Sequence, residues 1–113
     1  MDKSGVILII STMNKIMTRF SAVQKEILII LTKAFIGGVK EAKSTDVNAL
    51  VNMNLKKDIH PNNFRTSCKT LEGRELVQRR KEEFDWFINI APDGFEKALG
   101  WINEDKKQYG INP

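Results

Sequence analysis

Residues 61–94 read PNNFRTSCKTLEGRELVQRRKEEFDWFINIAPDG, and the order of signals in this stretch decides the fold class. Pro61 suits a first helical position, because its missing N–H would be unpaired there anyway and its φ is already helical. His60 then takes the N-cap, or Asp58 just upstream. Phe64, Cys68 and Leu71 follow at spacings of four and three, which puts them on one inward face of a helix. Asn62, Asn63, Arg65, Thr66 and Lys69 are left on the outer face, and no Asp or Glu interrupts them before Leu71. Glu72, Gly73 and Arg74 end the helix, with Gly73 the candidate for the left-handed closing position.

Beyond Gly73 the period changes. Leu76 and Val77 lead into Gln78, Arg79, Arg80 and Lys81, a strand that starts apolar and finishes basic. Glu82 and Glu83 turn the chain, and Phe84 to Ile90 reads as the return strand, with Trp86, Ile88 and Ile90 on one face and Phe87 on the other. Ala91, Pro92, Asp93 and Gly94 start a final helix, where Phe95, Ala98, Leu99 and Ile102 form an apolar stripe. Trp86 and Trp101 are assigned to the core, since no spacing presents both to solvent. The expected fold is mainly α with a short β-hairpin (α+β), in the order of a winged helix-turn-helix.

The outer helix face suits DNA. Asn pairs bidentately with adenine and Arg with guanine, while Thr and Lys hold phosphates or base edges. An ordinary solvated helix surface fits those residues equally well, so the flanking charge has to decide. The chain carries +4 overall, yet residues 40–81 hold ten Lys/Arg against five Asp/Glu, whereas residues 82–113 hold three against seven. Lys56 and Lys57 precede the helix, Arg65 and Lys69 lie on it, and Arg79, Arg80 and Lys81 follow it. Cations that bracket one groove-reading face are what positioning on a duplex requires.

Upstream and downstream segments complete one domain over residues 1–113, a length at which a single core is usual. With 42% hydrophobic and 28% charged residues the chain reads as globular and not disordered. Residues 5–20 contain Val6 to Ile10, Met13, Ile16, Met17 and Phe20, with Ile9, Met13, Ile16 and Phe20 on one helical face. That face either closes the core or pairs with its symmetry mate. A homodimer through this N-terminal helix (1–20), helped by the tail from Trp101 to Pro113, is the expectation. The run Val6 to Ile10 is too short to span a bilayer and lacks the shape of a secretory signal, so a cytoplasmic protein is expected, with no membrane partner. Cys68, the single cysteine, agrees with a reducing compartment and reads as a small core residue.

Several segments together resemble the MarR-type winged-helix regulators. FSAVQKEILIIL at 20–31 looks like the helix that opens their DNA-binding core, and STDVNALVNM at 44–53 is similar to the first helix of their helix-turn-helix. NNFRTSCKTLEGRELVQRR at 62–80 looks like their recognition helix running into the wing, and INIAPDGFEKAL at 88–99 is similar to the strand end and turn that follow. The likeness covers residues 20–102 and leaves 103–113 as a short tail where the family has long dimerising helices. Between the two helices, NMNLKKDIH is longer than the family's turn; either the first helix extends to Leu55 or the turn holds an insertion. The family's wing carries an Asp and an Arg two residues apart, and here Asp85 is followed by Phe87. The expected wing contacts therefore fall to Arg79, Arg80 and Lys81 on backbone phosphate.

The resemblance implies a transcriptional regulator that binds double-stranded DNA sequence-specifically, with Asn62, Asn63, Arg65, Thr66 and Lys69 in the major groove and Lys56, Lys57, Arg79, Arg80 and Lys81 on the backbone. The alternative is a winged helix that docks a protein and reads no bases. Catalysis has little to work with: one histidine, no Cys/His cluster for zinc, no phosphate-cradling Gly-rich loop, and no Ser, His and acid arrangement. No enzyme activity, cofactor or metal is expected, and no residue pattern assigns a small-molecule effector.

Overall fold

The computed structural model describes the backbone of residues 19–108 and the side chains of 19–105. The expected N-terminal helix lies, apart from Arg19 and Phe20, outside the described residues, as do the last five of the tail. In chain order the elements are α1 (Ala22–Ile36), β1 (Ala42–Lys43), α2 (Ser44–Leu55), α3 (Pro61–Gly73), β2 (Val77–Glu82), β3 (Asp85–Ile90) and α4 (Pro92–Gln108).

A capping box starts α1: the Ser21 hydroxyl accepts from the Gln24 N–H and the Gln24 side chain accepts from the Ser21 N–H, both at 3.1 Å. Its Ile27, Leu28, Leu31 and Thr32 are buried, and the helix stops at Gly37, with Gly38 at φ +97° in a region that glycine adopts without strain. The first helix of the pair, α2, extends to Leu55, so the first of the two readings of NMNLKKDIH holds. Lys56 caps it at φ 53°, the Lys57 N–H donates to the Asn52 carbonyl, and the Asn52 side chain accepts from the Ile59 N–H at 2.9 Å. Those bonds order the short turn into α3. There His60 is the N-cap, its Nδ1 accepting from the Asn62 N–H at 3.1 Å, and Pro61 takes the first helical position.

The far end of α3 differs from expectation. Gly73 stays helical, and the left-handed residue is Glu75, at φ 62°. The Leu76 N–H donates to the Leu71 carbonyl at 3.0 Å and the Glu75 N–H to the Glu72 carbonyl at 2.9 Å, the bond pair of a Schellman motif. That motif brings together the residue after the left-handed one and the residue four before it. Here these are Leu76 and Leu71, both buried. With Gly73 in the left-handed place the pair would be Arg74 and Lys69, so apolar burial sets the register against the local glycine preference.

The sheet is antiparallel, in the order β1-β3-β2. In the hairpin Val77 pairs with Ile90 and Glu82 with Asp85, which leaves Glu83 and Phe84 as the turn, one residue later than the sequence suggested. The third strand, β1, was not expected; it sets Ala42 opposite Ile88 and Lys43 opposite Phe87. Trp86, Ile88 and Ile90 do share the inward face, with Ile88 fully enclosed. Small residues pack inward at the start of α4 and along it: Ala91 just before the helix, Gly94 and Ala98 are buried, and a Cβ on Gly94 would collide with the Leu76 carbonyl oxygen. Two edge-on aromatic pairs hold α4, Phe35 of α1 with Phe95 and Phe20, just before α1, with Trp101. The core formed by α1, α2, α3 and the inner sheet face thus fixes α3 at one side with the hairpin beside it.

Candidate nucleic-acid interface

Burial of Phe64, Cys68 and Leu71 turns the opposite face of α3 outward. Asn62, Asn63, Arg65, Thr66 and Lys69 are all exposed there, as the spacing required. Two of them are tied locally. The Thr66 hydroxyl donates to the Asn62 carbonyl at 3.0 Å and an Arg65 Nη1 donates to the Asn62 Oδ1 at 3.4 Å. Both leave capacity toward solvent, since the hydroxyl keeps its acceptor lone pairs and the guanidinium four of its five N–H donors. Cys68, on the inward face, has its thiol pushed up to about 12 by burial, against the opposing pull of the Arg79 charge and with a smaller rise from the Glu72 carboxylate.

The cations around α3 fall into two groups. Lys56, Lys57, Lys69 and Lys81 are exposed and form no ion pair among the described residues. Arg79 and Arg80 are already engaged. The Arg79 side chain is only 8% exposed; its Nη2 and Nε donate to Glu72 Oε1 at 3.0 and 3.2 Å, and its guanidinium lies 4.7 Å over the Trp86 ring. It therefore clamps the end of α3 to both wing strands, where the sequence suggested a phosphate contact. Arg80 lies 4.5 Å over Phe87 and reaches across β3, donating to Glu41 at 2.7 to 2.9 Å and to Glu82 at 2.7 Å. Hydrogen bonds to Glu41 first and Glu82 second raise its pKa above the usual arginine range. Lys81 shares the inward face of its strand with Arg79 and keeps its ammonium 5.9 Å from the Trp86 ring.

A cleft of about 160 Å³ separates α3 from the wing. Pro61, Phe64 and Arg65 form one wall, Asp85, Trp86 and Phe84 the other, and Lys43, Ser44 and Thr45 at the start of α2 close one end. Lys43 pairs with Asp85 at 3.5 Å, so the wing's remaining aspartate is held by β1. Sequence reasoning missed Lys43, Ser44, Thr45 and Phe84 as neighbours of this cleft. For the first three there was no periodic signal, because β1 spans two residues. Phe84 was legible only once the hairpin register was known.

No protein-family model matches the chain and no curated protein matches its sequence. Solved structures do match in shape. RosR of H. salinarum superposes with a TM-score of 0.70 at 12% identity over 85% of this chain and 83% of that one. AF1382 from Archaeoglobus fulgidus gives 0.62 at 16% identity over 88% and 99%, and SSV1 F-93 gives 0.58 at 17% over 84% and 98%. The fold is a winged helix. In winged-helix terms α2 and α3 are the helix-turn-helix, β2 and β3 the wing, and the α3 face with its flanking lysines is the surface beside the wing. Among the described residues no helix is long and apolar enough to cross a membrane, and no three His, Cys, Asp or Glu side chains group as a metal site.

Proposed function

We propose that this winged helix is a DNA-binding transcription regulator of MarR-like arrangement, acting as one domain in the cytoplasm. The α3 face enters the major groove, with Arg65 and Asn63 as the principal base readers and Asn62, Thr66 and Lys69 beside them. Lys56, Lys57 and Lys81 hold the backbone on either side. Arg79 drops out of the contact set because Glu72 and Trp86 occupy it, and Arg80 reaches a phosphate only by exchanging Glu41 or Glu82 for it.

One observation carries this reading: an exposed face free of acidic side chains on a helix locked by three buried residues, flanked by lysines that pair with no carboxylate among the described residues. Net repulsion from phosphate is thereby lowest where a groove-reading helix needs it lowest. The structural neighbours lend the reading support through their shared fold, and RosR is the nearest of those three in shape. Enrichment of random duplexes on the wild type and on Arg65→Ala tests it. The wild type is expected to return a defined motif that the variant loses or relaxes at one position; an unenriched pool from the wild type would remove base reading.

Dimerisation through residues 1–20 belongs to the same proposal, giving two α3 helices about one helical turn apart on a pseudo-palindrome. Sedimentation is expected to give a dimer at micromolar concentration, and a monomer that stays monomeric on DNA would contradict it. The alternative, a protein-docking module, draws on the exposed Phe35, Ile36 and Val39 at the end of α1. It predicts DNA retention that is weak and identical for all sequences.

A further inference from the structure

The wing ends in a side chain that the DNA-binding reading leaves unused. Phe84 is 93% exposed, the highest value among the large hydrophobic residues exposed in the described chain. It occupies the second position of the hairpin turn, directly after Glu83, whose φ of 57° is a left-handed conformation that a non-glycine residue adopts at a cost. The tip is also firmly supported. Arg80 reaches from Glu82 across Phe87 of β3 to Glu41, just before β1, and Arg79 packs Trp86 against the end of α3. An apolar ring is thus held forward on a braced hairpin.

Three carboxylates surround it, which at first sight would repel nucleic acid. Two are already neutralised. Glu82 pairs with Arg80 at 2.7 Å and Asp85 with Lys43 at 3.5 Å, leaving Glu83 as the one tip carboxylate without an ion pair among the described residues. Phe84 also faces the cleft whose other wall is Pro61 and Arg65. With α3 in a major groove, the hairpin beside it is the part that meets the flanking duplex, and Phe84 is its most exposed apolar side chain. A phenyl ring offers no donor to a phosphate or a base edge. What it does offer is a flat apolar surface of the kind that unstacks a base step.

We infer that Phe84 is a minor-groove wedge: it inserts beside a base step flanking the site read by α3 and kinks the duplex toward the major groove. The inference rests on the DNA-binding reading and adds to it a contact that selects by deformability. Flexible pyrimidine–purine steps at the wing position are the preferred sequence, because they unstack most cheaply.

The test uses the full chain and a duplex enriched on the wild type, labelled at both ends for energy transfer, with affinity measured across a salt series. Phe84→Ala is expected to bind about tenfold more weakly with an unchanged salt slope, because no counterion-releasing contact is lost. At saturating protein it should also fail to shorten the end-to-end distance, while Phe84→Leu, still an apolar wedge, keeps most of both effects. Circular dichroism should show both variants folded, since the ring touches little of the protein. Phe84→Ala matching the wild type in affinity and bend would overturn the wedge alone. An affinity loss with an unchanged bend would overturn it too, leaving a contact on the groove wall. If the wild type enriches and binds no duplex, the DNA-binding reading fails and the wedge with it.

Discussion

Arg79 shows how a single side chain changes role once its surroundings are known. In the sequence it is the first of three consecutive cations on the wing; in the structure it is enclosed between Glu72 and Trp86. Arg79→Met keeps the stem packing and removes the charge. The variant should lose about 2 kcal/mol of unfolding free energy in urea, below the full cost of breaking a buried pair because the Glu72 side chain is 41% exposed and stays solvated. Its salt slope for DNA should not change, whereas Lys81→Ala should lower that slope by about one without affecting stability. Cys68 supplies a pH signature. Its folded thiol is raised from 9.0 to about 12, so between those values the unfolded chain releases a proton that the native state retains. Stability is therefore complete below pH 9 and falls as pH rises toward 12, by at most about 1.4 kcal/mol per unit. Comparing urea midpoints from pH 8 to 11 for wild type and Cys68→Ala should show this decline only in the former; parallel curves would contradict it.

At the scale of elements, the stop of α3 is the sharpest example of tertiary packing overriding a local preference. Glu75 bears a left-handed conformation so that Leu71 and Leu76 can both be buried. Glu75→Gly should relieve that strain and stabilise the protein by about 1 kcal/mol, read as a raised urea midpoint at constant m-value. Gly94→Ala should act in the opposite sense and cost about 3 kcal/mol, because the new methyl would meet the Leu76 carbonyl and the backbone there cannot yield cheaply. Helix α3 was legible at its start and along its buried face, since Pro61 marks the one and Phe64, Cys68 and Leu71 the other within one short window, but its stop was not. The hairpin was legible to within a residue. Strand β1 was not, because Ala42 and Lys43 make no pattern until Ile88 and Phe87 lie opposite them. The fates of Arg79 and Arg80 were equally hidden, as they depend on Glu72 and on Glu41, the latter 39 residues away in sequence.

For the whole molecule, the arrangement separates two jobs that a basic wing might be thought to combine. Arginines brace the wing against α3 and against Glu41 just before β1, and lysines with no ion pair among the described residues are left to meet a polyanion. Beside the packing of α1 on α4, Phe20 meets Trp101 edge-on. The central claim is that the outer face of α3 reads bases. Fluorescence anisotropy tests it most directly, with the chain titrated against its own upstream DNA and a scrambled control at two salt concentrations, and repeated with Arg65→Ala. Tight, salt-steep binding to the native duplex, with discrimination lost in the variant, is the predicted result. Equal and weak binding to both duplexes, unaffected by Arg65→Ala, would contradict it.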